Sequence, residues 1–86
     1  MATRTEVYKV IDGERDYQEM RRDRDGGQPA HTPTEFLVYM RSYLNEALES
    51  ASRVWGADAD PTILDKIRKV TALGVACMEE NGTVAR

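Results

Sequence analysis

Two stretches of about twenty residues open with the same signal, a residue able to cap a helix followed directly by proline. This constrains the fold more than any other feature. In Thr32-Pro33-Thr34-Glu35, Thr32 is placed to cap and Pro33 takes the first helical position, where its missing N–H costs nothing. Glu35 has the spacing to close a capping box. The pattern predicts a helix over about 33–55, with Leu37, Met40, Leu44, Ala47/Leu48, Ala51 and Val54/Trp55 on one apolar face and Gly56 as its stop. Asp60-Pro61 repeats the start, and a helix is predicted over about 61–81. Its stripe is Ile63, Ile67, Val70, Gly74 and Cys77/Met78, widened by Leu64, Leu73 and Val75 and ended by Asn81-Gly82. Each helix would be roughly 30 Å long. The short "GADAD" connector between them makes the pair an antiparallel hairpin.

A further helix is predicted over about 4–22. Thr3-Arg4-Thr5-Glu6 has capping-box spacing, and Val7, Val10, Ile11, Glu14, Tyr17 and Gln18 recur at helical intervals. Gly13 weakens this helix by up to about 1 kcal/mol relative to Ala. A short strand over "EVYKVI" with a turn at Asp12-Gly13 is the alternative, but no second strand is available to pair with it. Residues 23–32 read as a loop broken by Gly26-Gly27 and Pro29, with "DRDGG" as a flexible flap.

The expected fold class is therefore all-α, one domain of 86 residues. A chain of this size buries only roughly 60–65% of the surface its unfolded form exposes. Small domains compensate with disulfides, metals or oligomerisation. Cys77 is the only cysteine, so no disulfide forms within the chain, and its apolar setting suggests a reduced thiol. His31 is the only histidine, so no Cys/His zinc cluster is present. Oligomerisation remains, and the small residues Ala72, Gly74, Ala76 and Cys77 would permit close helix approach. The expectation is a helical bundle completed by a second copy. The net charge of −3 argues against nucleic acid as the main partner. No apolar run approaches the length of a membrane span, and the N-terminus lacks the apolar core of a secretion signal. The chain reads as cytoplasmic.

Several constellations could carry chemistry. Glu46 and Glu49 form an E-x-x-E pair one helical turn apart, and Asp65 on the following helix could join them around Mg²⁺. The alternative is an exposed acidic flank, with Lys69 placed to pair with Asp65. Tyr39, Tyr43, Glu46 and Arg53 line a second stripe, suited either to a base and a phosphate or to a half-buried edge against another helix. Lys66, Arg68 and Lys69 form a basic cluster that could meet phosphate or could simply be solvated. His31 has no partner in sequence and is assigned no role. There is no glycine-rich phosphate loop after a strand, and no Ser/His/Asp or Cys/His arrangement with identifiable geometry.

The order of parts, "VIDGERDYQEMR", then "TPTEFLVYMRSYLNEALES", then "ILDKIRKVTALGVACMEENG", resembles small phage and bacterial members of the MazG-like, all-α nucleotide pyrophosphohydrolase group. Those chains often begin with an E-R-x-x-Q stretch, here Glu14, Arg15 and Gln18. Active members carry E-x-x-E on one helix and E-x-x-D on the next, which bind Mg²⁺ for attack of water on a nucleoside triphosphate. The overlay places Glu46 at the second acid of the first motif and Tyr43 at the first. Lys66 and Lys69 then stand where acids are expected. The resemblance implies the fold and a nucleotide-sized cleft in a member that binds without cutting, such as a phage counter-defence factor that sequesters a nucleotide.

The leading expectation is thus a non-catalytic oligomeric binding protein for a nucleotide or another phosphorylated small molecule, held between subunits. Its ligand contacts would be Glu14, Tyr17, Gln18, Tyr39, Tyr43, Glu46, Lys66 and Lys69. The tyrosines would stack or hydrogen-bond a base and the lysines would neutralise phosphate. The alternatives are a Mg²⁺-dependent pyrophosphohydrolase using Glu46, Glu49 and Asp65, and an inhibitor that docks on a host protein complex.

Overall fold

The computed structural model describes residues 1–27, 29–53 and 61–86. Among these the chain forms three α-helices and no strand: α1 (Arg4–Arg24), α2 (Pro33–Arg53) and α3 (Pro61–Asn81). The all-α expectation holds, and residues 6–11 are helical rather than extended. The expected Val54/Trp55 contacts, Gly56 stop, "GADAD" connector and Asp60 cap lie outside the described residues.

Both expected capping boxes form. The Glu6 amide donates to Thr3 Oγ1 at 3.2 Å, while the Thr3 amide donates to Glu6 Oε2 at 3.4 Å. At the start of α2, the Glu35 amide donates to Thr32 Oγ1 (3.2 Å) and the Thr32 amide to Glu35 Oε1 (3.1 Å). Each box satisfies two amides that the first turn of a helix leaves without partners. The Thr32 contacts, followed by that of His31, hold the Glu35 carboxyl below the usual carboxylate range.

The end of α1 corrects the expected boundary. Asp23 and Arg24 are helical, not part of a loop. The helix stops through Gly26, at φ 98°, whose amide donates to the Asp23 carbonyl, while the Gly27 amide donates to the Arg22 carbonyl. This is the double-bonded Schellman arrangement, and it requires the left-handed backbone that glycine adopts without penalty.

The side-chain pairings fix the helix directions. Glu46 meets Lys66, Met40 lies against Gly74, and His31 reaches Glu80, so α2 runs antiparallel to α3. Glu14 meets Arg68 and Arg22 meets Glu80, so α1 runs parallel to α3. The third helix lies at the centre, with α1 and α2 packed on it and no comparable contact between those two.

The buried core among the described residues is Ile11, Phe36, Ala47, Ala72 and Ala76. Two central alanines on α3 allow its neighbours to come close, in keeping with the small-residue pattern. The predicted apolar stripes are covered only in part. Val7, Val10, Leu37, Leu44, Leu48, Leu64, Ile67 and Met78 are exposed. The reason is geometric: α1 and α2 each meet a single neighbour, which covers a narrow strip, while their apolar faces are wide. On α1 the inward face is instead Ile11, Glu14 and Arg15. No helix among the described residues is long and apolar enough to cross a membrane.

Candidate functional site

The polar residues of "ERDYQ" are built into the α1–α3 junction. Glu14 and Arg15 are 9% and 8% exposed, and both are ion-paired. Arg68 Nε donates to Glu14 Oε1 at 2.8 Å, and Arg68 also bonds Asp65. Arg15 grips Glu79 with two parallel bonds, Nε to Oε1 at 2.9 Å and Nη2 to Oε2 at 3.0 Å. It also bonds Glu19 (2.7 Å) and the Gln18 side-chain oxygen (3.1 Å). Such forked bonds carry more energy and more orientation than a single contact. The Glu79 carboxylate is the main cause that raises the Arg15 pKa, and Arg15 in turn holds the Glu79 carboxyl below its ordinary value. Buried charge here is paired and hydrogen-bonded, which is the condition for tolerating it. No buried side-chain nitrogen or oxygen among the described residues lacks a partner.

A second junction closes the other end. Glu80 accepts from Arg22 of α1 and, at 2.8 Å, from the backbone amide of His31. Burial pushes the Glu80 carboxyl up, but the His31 amide and then Arg22 outweigh it and hold it low. Asn81 Nδ2 donates to the His31 carbonyl at 3.0 Å. The His31 ring stands edge-on to Phe36 and Tyr39, with centroids 5.7 and 5.3 Å away, and its Nδ1 lies 3.3 Å from Glu35. His31 therefore anchors the end of the interhelical segment onto α3, a role its position in sequence did not suggest.

Between α1 and α2, above α3, lies an open cleft of about 520 Å³. Of the eight residues expected to bind ligand, Glu14, Tyr17, Gln18, Tyr39, Tyr43 and Lys69 line it. Glu46 and Lys66 do not; they pair with each other at 2.8 Å, and this bond is the main cause that raises the Lys66 pKa. Tyr43 lies beneath both lysines, with Lys66 Nζ 5.5 Å and Lys69 Nζ 5.9 Å from its ring centroid, within cation–π range. Phe36, Leu73 and Ala76 supply apolar lining. The expectation that the ligand sits between subunits is not required by this geometry, because one chain supplies all the walls.

Sequence reasoning missed Arg21, Arg22 and His31, which also line the cleft. Arg21 has no side-chain partner among the described residues. A basic "RR" pair one turn after Gln18 was the available signal.

The three acids of the Mg²⁺ alternative are all engaged by cations. Glu46 is held by Lys66, Glu49 by Arg53, and Asp65 by both Arg68 and Lys69. Burial would push the Asp65 carboxyl up, but Lys69 and Arg68 hold it low. No group of three or more His, Cys, Asp or Glu among the described residues is placed to hold a metal ion. Glu46 and Glu49 are both exposed, each with an ion-pair partner. Comparison of the chain with family models, with characterised proteins and with solved structures finds no match.

Proposed function

We propose that this chain is a non-catalytic binding protein whose cleft takes a nucleotide or another small phosphorylated molecule. The observation that carries the reading is the meeting of three tyrosines, Tyr17 from α1 and Tyr39 and Tyr43 from α2, with Arg21 and Lys69 in one cleft. Aromatic faces accept a base by stacking, and an unpaired guanidinium matches the geometry of a phosphate. The cleft has the volume range of small-molecule sites, about 300–1,000 Å³. The ion pairs along α1 and α3 hold its walls in place before a ligand arrives, which lowers the cost of ordering them. The MazG-like pattern fits this reading, since Tyr43, Lys66 and Lys69 stand where that group carries acids. On this reading the protein acts in the cytoplasm as an oligomer and sequesters its ligand, as a phage counter-defence factor would.

Titration calorimetry against mono-, tri- and cyclic nucleotides tests it. Saturable binding to one class, weakened by Arg21→Ala, is the expected result; silence across the panel refutes it. A second reading, docking on a host protein complex, is favoured by the apolar side chains that α1 leaves exposed, Val7, Tyr8, Val10 and Met20. It expects a stoichiometric complex with a purified host protein that Val10→Glu abolishes, and the absence of such a complex removes it.

A further inference from the structure

We infer that the exposed apolar face of the α2–α3 hairpin, on the side away from the cleft, is where a second copy of this chain docks. The inference does not rest on the ligand proposed above. Leu37, Leu44 and Leu48 of α2 and Leu64, Ile67 and Met78 of α3 are each 45–69% exposed, and none of them lines the cleft.

Helical spacing draws these residues into one face. Leu37, Met40 and Leu44 follow one another at intervals of three and four, and Leu48 continues the row. On α3, Ile67, Thr71, Gly74 and Met78 form the corresponding row. The two rows border the same seam, because a Cβ on Gly74 would stand 3.7 Å from the terminal carbon of Met40. No charged side chain stands in the α3 row, and on α2 the exposed Arg41, four residues after Leu37 and three before Leu44, lies beside the leucines. The small Thr71 and Gly74 at the middle of the α3 row leave room for an opposing side chain. Rows of this spacing are the pattern that packs helix against helix in coiled coils and bundles.

A second copy is the occupant that the large uncovered surface favours. The chain exposes 6869 Å², whereas a folded monomer of 9.7 kDa is expected to expose about 5,100 Å². Its radius of gyration is 14.2 Å, against about 12 Å for a compact domain of this length. The excess surface is on the order of 1,700 Å², about twice what one partner contributes to a standard interface. Two copies related by a two-fold axis would bury the leucine rows against each other, and both clefts would stay open on the outer sides. A self-complementary apolar face is what such a two-fold contact needs.

Sedimentation equilibrium on the full chain at micromolar concentration tests this. The wild type is expected at twice 9.7 kDa. Leu44→Glu places a carboxylate in the seam and is expected to raise the dissociation constant by about 100-fold or more, leaving a 9.7 kDa species with unchanged helical circular dichroism. Tyr8→Glu, on α1 and outside the face, is expected to leave the dimer intact. A monomeric wild type overturns the inference, as does a Leu44→Glu protein that stays dimeric or a Tyr8→Glu protein that dissociates. If Leu44→Glu loses helical signal, Ile67→Glu on the other row is read in its place, and a dimer from that variant overturns the assignment.

Discussion

Glu80 is where the ends of all three helices meet, and its removal gives the sharpest test of how this fold is held. Its carboxylate binds Arg22 of α1 and the His31 amide at the entry to α2. The side chain is only 15% exposed and that of Arg22 26%, so water replaces these bonds poorly. A hydrogen bond to a charged group contributes about 1.5–3 kcal/mol when buried. With two such bonds at a partly open site, Glu80→Ala should cost about 2–3 kcal/mol in total. A domain of this size has roughly 4–13 kcal/mol of stability altogether, so the loss is a large fraction. At about 4–8 °C per kcal/mol the melting temperature should fall by roughly 10–20 °C. Glu80→Gln keeps an acceptor for the His31 amide and should cost about half as much. Urea unfolding followed by circular dichroism gives the values, and a double-mutant cycle with Arg22→Ala isolates the Arg22–Glu80 coupling. A Glu80→Ala loss below about 0.5 kcal/mol, the size of an ordinary surface change, would refute the reasoning.

Three further outcomes are expected. Gly13→Ala should stabilise the chain by up to about 1 kcal/mol, read as a higher melting temperature, because Gly13 is mid-helix and a Cβ there meets nothing within 4 Å. Glu35, Glu79 and Glu80 all titrate below their ordinary value of 4.5 in the folded chain. Their contribution to stability is therefore complete above that pH and lost as the pH falls through the lowered values, so urea midpoints should hold steady near neutrality and decline in acid. Tyr43→Ala should weaken nucleotide binding by about 10-fold or more, since stacking on an aromatic ring contributes about 1–3 kcal/mol, with helical content unchanged.

The fold was legible where its causes are local. Thr3/Glu6 and Thr32/Glu35 cap their helices through bonds spanning three residues, and such signals can be read directly from neighbours in sequence. The α1 terminus was placed two residues early because Asp23 and Arg24, being charged, resemble loop; the true stop lies in the positive φ of Gly26. The site was legible only as a set of faces. Tyr39 and Tyr43 fall on a common stripe by period alone. The partners of Glu14 and Arg15 could not be inferred, because Arg68 and Glu79 lie 54 and 64 residues away and nothing local selects them. His31 was passed over for the same reason: its importance lies in its backbone amide and in Glu80, 49 residues on. The leucines of α2 were assigned to the core because a periodic pattern marks an apolar face without showing what covers it.

The parallel placement of α1 on α3 also sets an order of events in folding. The hairpin joins groups that are close along the chain, Glu46 with Lys66 twenty positions apart, so its loop closes at small entropic cost. The α1 pairings span 54 to 64 residues, and they connect through charges rather than a broad apolar seam. Contacts of long sequence separation form late, and charge pairs weaken as salt rises. The wall of the cleft that carries Tyr17 and Arg21 is therefore expected to assemble last and to loosen first as salt rises. The shape of the cleft and the folding of the chain are linked through the docking of one helix.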